Sequence, residues 1–368
     1  MNKKKDIIKK LLVSCIEDEP QYIVRSLQGK LRIGLAEKSV LTAIANAVVM
    51  TPPAQKDFPP KILDAKKSMS ISSLHERIIE VAEMLKSVYS ELPSYDVIIP
   101  ILLEENGIEQ LPKKCYITPG IPVHPMLAQP TKGVTEVLDR FSASSFTCEY
   151  KYDGERAQIH LKEDKTIQIY SRNLENNTQK FPDILVNLPL HIKEGVNSFI
   201  IDCEAVAWDK NLKKILPFQI LSTRARKTVE LKDVKVEVCL FVFDILYLNG
   251  KSLLKENLQT RRERLKESFI EHEDHLQFAK GKDCKDPEEV REFLEDAVKN
   301  DCEGLMVKTL LDNSSYEPSR RSFNWLKIKK DYLQGMTDTL DLVPIGAYFG
   351  KVFFQTKFFF LLCLLFFF

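Results

Sequence analysis

Between Thr118 and Pro125 the chain reads Thr-Pro-Gly-Ile-Pro-Val-His-Pro. Proline lacks an amide hydrogen and pushes its predecessor away from helix, so this stretch is a connector, and the texture of the chain differs on its two sides. Upstream, apolar residues recur at helical spacing, as in Ile7, Ile8, Leu11, Leu12, Cys15 and again in Leu74, Ile78, Val81, Leu85. This predicts a helical domain over residues 1–117, broken by loops at Thr51-Pro52-Pro53 and Phe58-Pro59-Pro60. Downstream, short β-type runs dominate, at residues 146–152, 157–161, 166–170, 199–208 and 236–248. A helix is expected from Asp286-Pro287-Glu288-Glu289, where Asp caps, Pro suits the first turn and the acids suit the positive end. Strands and helices mixed in this way predict an α+β domain over residues 118–336 rather than regular βαβ units. With 368 residues and 44% hydrophobic content, the chain can supply a core to each.

Lys and Arg total 53 against 52 Asp and Glu, a net charge of +1, so bulk charge neither indicates nor excludes a nucleic-acid partner. The eight cysteines contain no C-x-x-C pair and are expected to be free, buried thiols in a reducing compartment. Met1-Asn2-Lys3-Lys4-Lys5-Asp6 carries no apolar secretory stretch. From Val352 to Phe368 the sequence is nearly all Phe and Leu. Its apolar run 358–368 is too short for a helix to span ~30 Å of bilayer, so no membrane partner is expected. We read 352–368 as an aberrant tail, translated from a pyrimidine-rich non-coding stretch, because Phe and Leu codons are pyrimidine-rich.

Chemistry concentrates at Lys151-Tyr152-Asp153-Gly154-Glu155-Arg156, a lysine beside a tight-turn glycine between two β-type runs. A lysine amine attacks only when deprotonated, which requires neighbouring cations or desolvation. Alone, the segment reads equally well as a surface turn. In chain order there follow Ser171-Arg172-Asn173, Asp202-Cys203-Glu204-Ala205-Val206, Phe241-Val242-Phe243-Asp244, Glu303-Gly304-Leu305-Met306-Val307-Lys308 and Trp325-Leu326-Lys327-Ile328-Lys329-Lys330. This ordered set resembles the nucleotidyltransferase motifs of the ATP-dependent DNA ligases. The likeness runs from about Gly29 through Lys351 and is strongest to the eukaryotic replicative branch.

The resemblance implies that Lys151 takes AMP covalently from ATP, that AMP then moves to the 5′-phosphate of a nick in double-stranded DNA, and that the adjacent 3′-hydroxyl displaces it. It also implies the roles of the other residues. Glu149, on the strand face of Lys151, accepts from the adenine amino group, and Phe243 stacks on adenine. Arg156 and Arg172 hold ribose or phosphate oxygens, Lys327 and Lys329 neutralise the α-phosphate from one strand face, and Lys308 contacts the nucleotide. Glu204 and Glu303 hold Mg²⁺. The helical residues 1–117 resemble the later part of the family's DNA-binding domain, in which Lys30, Arg32 and Gly34 would contact the DNA backbone. Competing structural readings exist for several of these: strand carboxylate for Glu149, core ring for Phe243, buried salt bridge for the acids, solvated face for the lysines.

The resemblance further implies a monomer working in the nucleus, with the usual nuclear-targeting and sliding-clamp region lying upstream of this chain. Asp338-Thr339-Leu340-Asp341-Leu342-Val343 and Ile345-Gly346-Ala347-Tyr348 look like the start of an OB-fold over 337–351, which the tail interrupts before the family's final basic cluster. Full nick sealing is therefore expected to be weak. Two rival functions remain at this level: an inert DNA-binding or interaction fragment, and an mRNA capping or RNA ligase nucleotidyltransferase.

Overall fold

The computed structural model describes residues 2–29, 36–51, 69–131, 133–141, 144–224, 229–284, 286–329, 343–349 and 359–364. Two compact units result, Met1–His124 and Pro125–Phe368.

The first unit is helical: α1 (Asn2–Ser14), α2 (Glu19–Leu27), α3 (Glu37–Met50), α4 (Ile71–Glu91), α5 (Tyr95–Leu102) and α6 (Gly107–Lys114). The Ser70 side chain starts α4 by accepting from Ser73 N–H at 3.1 Å, which satisfies one of the orphan amides of the first turn. The periodic residues Leu74, Val81, Leu85 and Val88 form one buried stripe, packed with Ala45 and Val49 of α3, Ile98 and Leu102 of α5 and Leu111 of α6. Lys30, Arg32 and Gly34, like the two Pro-Pro loops, lie outside the described residues.

The second unit runs β1 (Leu127–Pro130), α7 (Val134–Phe141), β2 (Phe146–Lys151), β3 (Glu155–Leu161), β4 (Ile167–Ser171), α8 (Pro182–Asn187), β5 (Phe199–Asp209), β6 (Lys214–Ile215), α9 (Phe218–Ser222), β7 (Val238–Leu248), β8 (Lys251–Ser252), α10 (Leu258–Ser268), β9 (Leu276–Phe278), β10 (Gly281–Lys282), α11 (Pro287–Lys299), β11 (Gly304–Thr309), β12 (Arg321–Lys329), β13 (Val343–Phe349) and β14 (Phe359–Leu364). The expected cap of α11 is present, Asp286 accepting from Glu289 N–H at 2.9 Å. One sheet has the order β1-β12-β11-β2-β10, the other β4-β3-β5-β7-β8, with β6 on β5 and β9 on β7. The antiparallel pair β13–β14 stands apart and fits the beginning of an OB-fold. It recruits the Phe/Leu tail as a strand. No helix among the described residues is long and apolar enough to cross a membrane.

Strand alternation assigns each sheet two faces. In the first sheet Cys148, Tyr150, Leu305, Val307, Leu326 and Ile328 bury against α7 and α11, through Val137, Phe141, Phe293 and Leu294. In the second, Ala157, Ile159, Ile201, Cys203, Leu240 and Val242 bury with Phe181, Leu265 and Phe269. The opposite faces of the two sheets look toward each other. At one end they close through Tyr152 stacked on Phe241, ring centroids 4.0 Å apart. At the other end they stay apart.

One buried ion pair sets the register next to that opening. Arg261 of α10 grips Asp244 of β7 through Nε–Oδ1 at 2.7 Å and Nη2–Oδ2 at 2.9 Å, and donates from Nη1 to the carbonyls of Glu256 and Ser314. Both side chains are fully buried. Because every polar atom is answered, the pair fixes β7 one residue after Phe243.

Candidate active site

The gap between the sheets is a cleft of about 330 Å³. Its walls follow from strand parity. Glu149 and Lys151 of β2, Met306 and Lys308 of β11, and Trp325, Lys327 and Lys329 of β12 line it from the first sheet, while Arg156, Glu204 and Phe243 line it from the second. Arg172, just past β4, completes it. The ten residues assigned to nucleotide, metal and catalysis from sequence are thus brought to one cavity.

Lys151 ends β2, and Gly154 turns the chain into β3. A Cβ on Gly154 would lie 2.4 Å from the Ala205 carbonyl oxygen and 3.0 Å from Glu204 Cγ. Glycine is therefore required by close approach of this turn to β5. Gly304 has the same problem at φ +147°, where a methyl group would sit only 2.1 Å from the Ile328 oxygen. Gly154→Ala is expected to cost about 1–3 kcal/mol, the usual range for overpacking, and to displace Lys151. Urea denaturation checks this, and an unchanged midpoint would refute it.

Across the first sheet, Lys151 pairs with Gly304 and Gly304 with Lys329, which places Glu303 between two lysines. Its Oε2 lies 2.7 Å from Lys151 Nζ and 2.6 Å from Lys329 Nζ. Burial pushes the Glu303 carboxyl up, but these ammonium groups overcome it and hold the pKa down to about 2. Glu204 behaves oppositely. Burial pushes it up to about 7, and the attraction of Lys151 and Arg156 only partly offsets this against the like charges of Glu303 and Asp202.

Deeper in the cleft, Lys308 Nζ meets Glu149 Oε2 at 2.5 Å, with the side chains 1% and 3% exposed. The ammonium also lies 4.7 Å from the Phe243 ring centroid and 4.5 Å from that of Trp325. Arg156 is nearly enclosed. It donates to Asp202 Oδ2 at 2.6 Å, Asp202 Oδ1 at 3.4 Å, the Met126 carbonyl at 3.0 Å and the Tyr316 hydroxyl at 3.0 Å. Most of its guanidinium hydrogens are thereby committed to protein, and its role in this structure includes tying β3 to β5.

The cationic lining residues are Lys151, Arg156, Arg172, Lys308, Arg321, Lys327 and Lys329, against the carboxylates Glu149, Glu204 and Glu303. After the pairings above, Arg172, Arg321 and Lys327 make no ion pair among the described residues. Lys327 shows the consequence: desolvation and the charges of Lys329, Lys151, Arg321 and Arg172 all press its pKa down. A cleft with this surplus is built for an anion.

Sequence reasoning missed Arg321, Trp325, Met306 and the Asp202–Tyr316 contact at 2.7 Å. Arg321 and Trp325 share the odd parity of Lys327 and Lys329, a signal available in the sequence. Tyr316 comes from a loop without periodicity and gives none.

A sequence model of the family described as "ATP dependent DNA ligase domain" matches residues 125–329, and one described as "DNA ligase N terminus" matches residues 1–45. DNA ligase 1 of Dictyostelium discoideum is 57% identical over 349 residues, covering 95% of this chain and 29% of the relative. DNA ligase 1 of Schizosaccharomyces pombe is 51% identical over 351 residues, covering 95% and 44%. DNA ligase 1 of Arabidopsis thaliana is 50% identical over 349 residues, covering 95% and 42%. The chain therefore spans less than half the length of these relatives.

Proposed function

Because this chain belongs to the ATP-dependent DNA ligase family, we propose that its cleft binds ATP, transfers AMP to Lys151 Nζ and passes it to the 5′-phosphate of a nick in double-stranded DNA. The observation that carries the proposal is the surplus of cations around Lys327, in the same cavity as Lys151. Lys327, Lys329, Arg172 and Arg321 would neutralise the phosphates, so that attack of the amine on the α-phosphorus and departure of pyrophosphate occur without building uncompensated charge. Glu303 holds the Lys151 side chain in place. At the other end, Glu149 and Phe243 would receive the adenine edge and face. A bound purine also brings an aromatic face beside the Trp325 and Phe243 rings.

The donor set fits Mg²⁺. Glu204 and Glu303 offer hard oxygens from the two facing sheets, and a dication beside Glu204 would offset the lost solvation and the like-charge repulsion that push its carboxyl up. Glu204 and Glu303 would hold the ion, whose chemistry is charge neutralisation at phosphate oxygens. We place the activity in the nucleus, carried out by a monomer, with Lys30, Arg32 and Gly34 on the DNA backbone.

The test is incubation with α-labelled ATP or α-labelled GTP. Labelling by ATP alone supports the ligase reading, labelling by GTP would favour a capping-type transferase, and labelling by neither would contradict both. Within the ligase reading, Glu149→Ala is expected to weaken self-adenylylation about tenfold or more relative to sealing of pre-adenylated nicked DNA, since the later step needs no fresh recognition of the base. Taking the ratio of the two assays removes any common loss of folded protein. Equal loss in both would mean that Glu149 serves the strand and not adenine.

A further inference from the structure

None of the cleft chemistry uses the three imidazoles that meet elsewhere in the second unit. His191 ends the short helical turn Leu188–His191 after α8 and is buried, while His272 and His275 lie in the turn leading into β9. The backbone holds the two segments together. Ile270 N–H donates to the His191 carbonyl at 2.8 Å, and Ile192 forms a β-bridge with Phe269. The second segment is itself closed by reciprocal hydrogen bonds between His272 and Leu276, at 2.7 and 3.0 Å. The ligands are therefore gathered before anything binds, which lowers the entropic cost of binding.

The side-chain geometry is specific. His191 Nε2 and His275 Nδ1 lie 3.2 Å apart, whereas the exposed His272 ring stacks on His275 with centroids 4.5 Å apart and must turn about its side-chain torsions to aim a lone pair at the same ion. One ring nitrogen from each of the three residues falls within 4.8 Å of the others. Two nitrogens bound at 2.0–2.1 Å to one tetrahedral zinc ion stand about 3.3 Å apart. We propose that His191, His272 and His275 form a binding site for a divalent transition-metal ion of the zinc class, with water in the fourth position.

The ligand chemistry selects the ion. Three imidazoles suit zinc and its neighbours and suit Mg²⁺ or Ca²⁺ poorly. The nearby carboxylates are occupied: Asp274 accepts from Trp208 Nε1 and from Lys213 Nζ, and Asp183 is paired with Arg224, which leaves the fourth position to solvent. Without metal, one proton is shared between His191 Nε2 and His275 Nδ1. Binding requires both lone pairs, so that proton moves to the other nitrogen of its own ring and none is released. His272 Nδ1 accepts from Asp274 N–H at 3.2 Å and gives up this bond on ligation. The ion would clamp the turn before β9 to the segment after α8.

The experiment titrates the purified chain with Co²⁺ and then displaces it with Zn²⁺, comparing wild type with His272→Ala and His275→Ala. His272 is exposed, so its removal opens no core cavity, and circular dichroism checks that both variants fold. Expected are one equivalent of Co²⁺ with the visible absorption of tetrahedral cobalt, loss of that band on adding Zn²⁺, and a Tm raised by Zn²⁺ in wild type only. Either variant should bind at least about tenfold more weakly, the scale seen when even a supporting partner of a ligand is lost. Labelling of Lys151 by ATP should be unchanged in both, so failure there bears on the proposed function and not on this site. Undiminished Co²⁺ binding in the variants, a near-ultraviolet thiolate-to-cobalt band indicating cysteine ligands, or no binding would each overturn the proposal.

Discussion

Replacing Lys308 with methionine is expected to destabilise the second unit by about 3–5 kcal/mol, the scale for removing one partner of a buried ion pair. Lys308 and Glu149 are 1% and 3% exposed, and their contact joins neighbouring strands β11 and β2. Methionine matches the stem of lysine and keeps the packing against Phe243 and Trp325, so the loss reports charge and not volume. The Glu149 carboxylate, left without its cation, would have to be protonated or hydrated at the back of the cleft. The double variant Glu149→Leu with Lys308→Met should recover most of the stability, because two apolar groups need no partner, yet should not recover use of ATP. Urea denaturation of the single and double variants measures this. A single variant with the wild-type midpoint would show that the contact contributes nothing to the fold.

Much of this cleft was legible because strands expose alternate residues. Glu149 and Lys151, or Lys327 and Lys329, are two apart, so each pair must share a face whatever the tertiary structure. The change from helical to β texture across the proline-rich connector was legible for a similar reason, since periodicity is local. Relations across strands were not. Arg156 sits opposite Glu204 in register, but its guanidinium reaches diagonally to Asp202 and Tyr316, a choice made by burial and not by sequence spacing. The Glu149–Lys308 pair is likewise a diagonal contact, between strands distant in sequence. The divergent fates of Glu204 and Glu303 depend on where Lys329 lies, which only the β2–β11–β12 pairing fixes. The histidine cluster went unread, because the short His272-x-x-His275 spacing gains a third member only through His191, which lies about eighty residues upstream in a segment with no periodic signature.

Lys151→Arg is expected to remove AMP attachment completely while leaving the fold intact. Arginine keeps a cation beside Glu303, so the ion pair survives, but a guanidinium does not deprotonate in proteins and cannot serve as the nucleophile. The side chain is about one-fifth exposed at the end of a strand and fills no core volume, so the unfolding midpoint should change by no more than about 0.5 kcal/mol in free energy. ATP should still bind, because the phosphates retain Lys327, Lys329, Arg172 and Arg321. The most direct measurement is to incubate wild type and Lys151→Arg with α-labelled ATP and Mg²⁺, quench in acid, digest, and locate the label by mass spectrometry. AMP is expected on the peptide containing Lys151 in wild type, with no label in the variant. AMP on Lys327 or Lys329, or labelling that persists in Lys151→Arg, would contradict Lys151 as the nucleophile.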